Sequence, residues 1–207
     1  MLRITETLES VAAVGPDARQ RILDTAYDLF SRRGVRDVGI DEIVERSGVA
    51  KATLYRHFRS KDDLVLAFLA RREELWTHEW LEAEARNRGD TPEEQLLAIF
   101  DVFDGWFRQG DFEGCSFINV LLEFGELEHP IRQATTEHLA TIRGLVSEFA
   151  EQAGVNDPEA VACQWHILMK GSIVAAGEGD TEAARRAQAL GRLLLESEGA
   201  LAPAAPA

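Results

Sequence analysis

DEIVERSGVAKATLYRHFRSK, residues 41–61, is the stretch from which the rest of the chain is best understood. Ile43 and Val44 give a short helix an apolar edge. Gly48 offers a turn where the chain can take a positive φ. Leu54 and Phe58, four residues apart, give the next helix a buried face. Two short helices joined by a glycine-containing turn make a helix-turn-helix pattern. With Leu54 and Phe58 turned inward, Lys51, Ala52, Tyr55 and Arg56 lie off the buried stripe. Lys51, Ala52 and Thr53 form the first turn, the end that enters a DNA major groove in this motif. A cation, hydroxyls and a methyl group suit phosphates and base edges.

The charge supports this once it is placed along the chain. The 207 residues carry a net −14. Of the 22 Lys and Arg, 13 lie at or before Leu75, matched there by 13 of the 36 Asp and Glu. The whole deficit therefore falls after Leu75. From Arg46 to Lys61 there are five basic residues and no acid. A basic stripe on an acidic body binds DNA in one orientation and repels it in others. An ordinary solvated face is the plainer explanation of a charge run, but it leaves the helix-turn-helix pattern unexplained.

GVAKATLYRHFRSKDDL, residues 48–64, resembles the signature of the tetracycline-repressor (TetR) family of bacterial transcription regulators. ARQRILDTAYDLFSRRGV, residues 18–35, resembles that family's first helix and the glycine that ends it. The close match covers about residues 17–75, and GCSFINVLLEF with HPIR further on is a weaker likeness. The resemblance implies a homodimer binding palindromic double-stranded operator DNA, expected to be a repressor. It also implies release by a small-molecule effector held in the helical body. Lys51, Tyr55, His57 and Lys61 would then hold phosphates, and Ala52, Thr53 and Arg56 would meet base edges. Two positions depart from the family pattern. Gly39 and Ala50 stand where the family usually has Ser or Thr, and Ser, respectively. Gly39 can still cap a helix at small cost, whereas Ala50 is a poor cap.

The expected fold is all-α, with about nine helices. Residues 1–16 form a loose arm and 17–75 the DNA-binding head. Residues 76–198 form a ligand-binding and dimerisation body, and 199–207 a disordered tail. The first helix runs from about Asp17 to Arg33 and stops at Gly34. Ser60 with Asp63 begins a fourth helix that can reach Arg88. Thr91 with Pro92 and Glu94, Pro130, Asp157 with Pro158, and Thr181 open later helices. The acids in MLRITETLESVAAVGP argue against a secretory signal, and no run of 18 apolar residues suggests a membrane span. A cytoplasmic protein is expected.

The body offers two candidate surfaces. Val161, Trp165, Leu168 and Ser172, with Ala183, Ala187, Leu190 and Leu194, mark faces of the last two helices. As in the resembled family, two such helices from each subunit would pack as a four-helix dimer interface. The alternative is that both fold onto their own core. Trp76, Trp80, Phe103, Trp106, Phe107, Phe117, Trp165 and Met169 are candidates to line a pocket for a lipophilic molecule. Most aromatic stripes at helical spacing are plain core. Asn119, Glu123, His138 and His166 are the nearest polar residues, and Glu123 beside aromatics would favour a cation.

Cys163 and His166 share a helix face but find no third or fourth metal ligand, so no metal or other cofactor is expected. Cys115 and Cys163 leave a redox response as an alternative to a small molecule, as is a protein partner acting on the body. Phosphate-cradling glycine loops, HExxH and GxSxG are absent from the sequence, which argues against an enzyme. Glu126, Glu128 and His129 fall between helices and read as an exposed loop.

Overall fold

The computed structural model describes residues 17–202. The arm assigned to residues 1–16 lies outside the described residues, as do residues 203–207. The described residues form nine helices and no strand, counting residues 61–88 as one continuous helix.

Helix α1, Ala18–Arg33, begins where the Asp17 side chain accepts the Gln20 N–H at 2.7 Å. Helix α2, Ile40–Ser47, ends at Gly48 in the left-handed region, with φ 65°. That conformation reverses the chain into α3, Lys51–His57. Neither Gly39 nor Ala50 supplies a side-chain cap, so both short helices start without one. They are held by packing. Ile43 and Leu54 have no exposed surface and sit against Ile22, Ala26 and Phe30 of α1 in one apolar cluster. Burying a side chain of that size contributes about 1.5–3 kcal/mol, enough to outweigh a missing cap worth about 1 kcal/mol.

Helix α4 joins head to body. Ser60 caps it by accepting the Asp63 N–H at 3.0 Å, and the Asp63 carboxylate answers by accepting the Arg59 N–H. It runs as an α-helix over Lys61–Arg72, widens to a π-helix over Glu73–Glu82, and returns to α over Ala83–Arg88. The expected reach to Arg88 is met, but the change of winding has no signal in the hydrophobic pattern. The expected boundary at Leu75 and Trp76 falls inside the π segment, so no linker separates head from body.

The body consists of α5 (Pro92–Phe107), α6 (Ser116–Glu123), α7 (Pro130–Gln152), α8 (Pro158–Gly177) and α9 (Ala183–Ser197). A full capping box of Thr91 and Glu94 starts α5. The last helix opens at Glu182, one residue past the expected Thr181, because Asp180 accepts the Glu182 N–H at 2.9 Å. Its end also corrects an expectation. Ala200 and Leu201, assigned to a disordered tail, turn back at Gly199 and pack on the core, their N–H groups bonding the Leu195 carbonyl. Helix α8 lies between α7 and α9, and α9 closes against α5.

Candidate nucleic-acid interface and the junction cavity

Helix α3 buries Leu54 and turns outward every residue expected on its reading face. Lys51, Ala52, Tyr55, Arg56 and His57 are exposed, and Thr53 is half-buried in the first turn. Acids from α2 temper the basic stripe. Asp41 bonds the Lys51 ammonium at 2.6 Å and raises its pKa. Glu42 bridges Arg33 and Arg46 at 2.7 and 3.4 Å. These pairs are solvent-exposed and worth little, so a phosphate can displace them. Lys61 stands apart from the other phosphate candidates. It is half-buried at the start of α4, and burial lowers its pKa against the opposing pull of Glu123, Asp62 and Asp37.

The residues expected around one body pocket scatter to several places. Trp76, Trp80 and Trp106 stay together, their rings 5.4–5.9 Å apart. They border a cavity of about 410 Å³ between the head and the body. Phe103 fills the space behind them as core, touching Trp76, Phe100, Trp106 and Phe107. Trp165 is fully buried against Phe100, with ring centroids 5.3 Å apart. Phe117 stacks on His138, whose Nδ1 meets Glu73 at 2.7 Å. Phe107 and Asn119 border a separate cleft, where the Asn119 amide donates to the Glu113 carbonyl at 3.3 Å. Met169 and His166 line a void of about 10 Å³, room for roughly one water. Burial, with Lys170 and Arg143 nearby, holds the His166 pKa down at about 3.

Both halves of the chain match the same family. Residues 22–68 match the profile described as bacterial regulatory proteins, tetR family, and residues 92–190 match the tetracyclin repressor-like C-terminal domain. A crystal structure of a TetR-family transcriptional regulator from Streptomyces coelicolor is 30% identical and superposes with a TM-score of 0.78. That match covers 87% of this chain and 95% of the other. This chain belongs to the TetR family. Among curated relatives it is similar to the HTH-type transcriptional regulator YjdC of Escherichia coli, 22% identical over 81% of this chain and 90% of that one. It is also similar to the HTH-type transcriptional repressor NemR of Escherichia coli, 24% identical over 68% of this chain and 70% of that one. The chain is thus a DNA-binding transcription regulator, and α2 with α3 is its helix-turn-helix.

Within this TetR-family body, the faces expected to dimerise need correction. Val161, Trp165, Ser172, Ala183 and Ala187 are buried within their own chain. The cause is close packing: a Cβ on Gly191 of α9 would lie 2.7 Å from the Trp165 ring. Leu168 and Leu194 are half-buried on the same core. Only Leu190 of that set is freely exposed, and it shares the surface of α8 and α9 with Ile167, Val174 and Leu193, at 53–69% exposure. Most of the residues named for the interface are thus spent on the chain's own core, and a different set of apolar side chains is exposed on the same two helices.

Glu123 also has a different role. It ends α6, and its carboxylate accepts the N–H groups of Val35 and Arg36 at 3.1 and 2.8 Å, fastening the body to the α1–α2 turn. Gly34 takes φ 80° there, a conformation that strains any side-chain-bearing residue, and a Cβ would also push the Glu123 carboxylate out of place, lying 2.4 Å from it. Within the body, Arg132 of α7 braces the end of α6 by donating to the Leu121 and Phe124 carbonyls at 3.0 and 2.8 Å. Sequence reasoning missed this latch, and it missed the head's share of the cavity wall. Asp24, Tyr27, Asp28, Ser31 and Arg32 of α1 form one side of it. Their spacing along the helix marks one face, but only the fold shows what that face meets. Among the described residues no cluster of three or more His, Cys, Asp or Glu is placed to hold a metal, and no helix is long and apolar enough to cross a membrane.

Proposed function

We propose that this TetR-family regulator is a repressor that binds an inverted-repeat operator as a homodimer and lets go when a small molecule enters its body. The observation that carries the reading is the outward face of α3, where Lys51, Tyr55, Arg56 and His57 are exposed while Leu54 is fully buried. Tyr55, His57 and Lys51 hold phosphates, with Lys61 at the head–body joint. Ala52, Thr53 and Arg56 meet base edges. The exposed apolar side chains of α8 and α9 support a second copy as the partner, since a two-fold operator needs a two-fold protein. The name of the relative NemR favours repression over activation. A redox response is less well supported: Cys115 is buried, which pushes its thiol pKa up and keeps it unreactive.

The test is selection of bound sequences from a random DNA pool with the purified full-length chain. An enriched inverted repeat is the expected result. Enrichment of a single half-site would remove the dimer from the proposal, and salt-sensitive binding without enrichment would remove sequence-specific operator recognition.

A further inference from the structure

The cavity at the junction is built unlike a plain gap between domains. Its volume of about 410 Å³ is within the range of small-molecule sites. Its inner wall is the indole cluster of Trp76, Trp80 and Trp106, with the Arg72 guanidinium 5.8 Å from the Trp76 ring centroid, so that Trp80 and Trp106 are left to meet a further cation. Its rim is acidic. Asp24, Asp28, Asp111 and Glu113 line it against only two cations, Arg32 and Arg72.

Those charges are unevenly satisfied. Asp28 pairs with Arg32 at 2.8 Å, and Asp24 is taken by Arg71. Arg72 donates to the Tyr27 hydroxyl at 2.9 Å. Among the described residues, the exposed carboxylates of Asp111 and Glu113 have no ion pair. The Glu113 pKa is raised, first by burial and then by the Asp111 and Asp28 carboxylates, with Arg32 and Arg72 opposing. Two lining residues also carry buried polar atoms without a partner: the hydroxyl of Ser31 and the indole N–H of Trp76, a side chain only 7% exposed. A native interior seldom leaves such groups unmet.

We propose that this junction cavity is the effector site and that it takes a flat aromatic cation, held by the tryptophans and selected by Asp111 and Glu113. Indoles attract cations through their faces, by about 0.5–1 kcal/mol when exposed and about 2 when desolvated. The unpaired carboxylates add a charge preference that neutral or anionic compounds do not satisfy. The expectation that Glu123 would choose a cation is thus replaced, because Glu123 is committed to the α1–α2 turn. The site's position supplies the coupling. One wall belongs to α1 of the head, another to the π segment of α4, and the third to α5 and the loop after it. A ligand touching all three favours one placement of the head over another, and operator affinity can shift by that preference and no more. This regulatory half rests on the repressor reading above.

The probes are 6-methoxy-1-methylquinolinium and its neutral isostere 6-methoxy-1-methylnaphthalene, titrated calorimetrically into the full-length protein without DNA. The cation is expected to bind at least tenfold tighter. The exposed double variant Asp111→Asn, Glu113→Gln should lose that discrimination while binding the neutral compound as before, and Trp80→Leu should weaken both. Equal affinities, no binding of either compound, or a double variant that still discriminates would each overturn the site. With the selected operator added, the cation should weaken DNA binding at least tenfold in the native chain and not in the double variant. Unchanged operator affinity at saturating cation would overturn the regulatory half alone. A protein that selects no operator yet binds the cation would sink the repressor reading and leave the site standing.

Discussion

The reading helix α3 and the π segment of α4 are of similar length and do opposite things with their side chains. Over Lys51–His57 one residue is buried and the functional groups face water. Over Glu73–Glu82 the functional candidates Trp76 and Trp80 turn inward, to meet Trp106 of α5 and the α1 face that carries Asp28 and Ser31. An outward-facing function needs only local register, because its partner arrives from solution. An inward-facing one is assembled from helices far apart in sequence, and its composition depends on how they pack.

The sharpest way to separate the two regions is acid. The body interior holds a titratable group, His166, which is neutral in the fold because its pKa is about 3 there. The unfolded chain binds that proton near pH 6.5. Below pH 6.5 the unfolded state therefore holds more protons, and stability falls as pH drops toward 3, by up to about 1.4 kcal/mol per unit. Between pH 6.5 and 4.5 the expected loss is on the order of 2–3 kcal/mol. Urea unfolding at stepped pH measures it, and His166→Leu should flatten the slope within that window. A slope unchanged by the substitution would show that His166 is not the group that matters.

This contrast explains what the sequence disclosed. Ile22, Ala26, Leu54 and Phe58 repeat at helical spacing, and glycines mark the turns, so α1 to α3 and the outward set from Lys51 to His57 were legible from one short stretch. Most of the body's helices were legible from their caps and prolines, though α6 has no side-chain cap and α9 starts one residue later than Thr181 suggested. Their partners were not. Trp165 looks the same on a helical wheel whether it meets a second subunit or Gly191 of its own chain. Glu123 looks like a polar group beside aromatics until the α1–α2 turn is brought to it across 87 and 88 residues of sequence. Asp24 and Asp28 read as the solvated side of α1 until the tryptophans of α4 arrive opposite them. Helical periodicity reports which side of a helix is apolar, and says nothing of what lies across from it.

The Glu123 latch tests whether the two regions are one mechanical unit. Glu123→Ala leaves the Val35 and Arg36 N–H groups without their acceptor, at a cost of about 1–2 kcal/mol. Hydrogen exchange should show those two amides opening faster, while the amides within α3, which rest on Leu54, keep their protection. If α3 lost protection to the same extent, the head would depend on the body for its fold and the division into an outward and an inward function would fail.

The smallest expected change in stability comes with the most specific change in function. Thr53 lies half-buried in the first turn of α3, where its N–H bonds the Ala50 carbonyl at 2.8 Å and its side chain makes no bond among the described residues. Thr53→Ala should therefore leave stability within about 0.5 kcal/mol. Its hydroxyl and methyl are the groups placed to read a base edge, so repeating the DNA selection should change the preferred base at one position of each half-site, by about 1–3 kcal/mol of discrimination. Lys61→Ala is the control, because loss of a phosphate contact weakens binding to every sequence and lowers the salt dependence. Should Thr53→Ala weaken all sequences alike, the first turn of α3 would hold the backbone, and base reading would have to pass to Arg56, one turn further along the same exposed face.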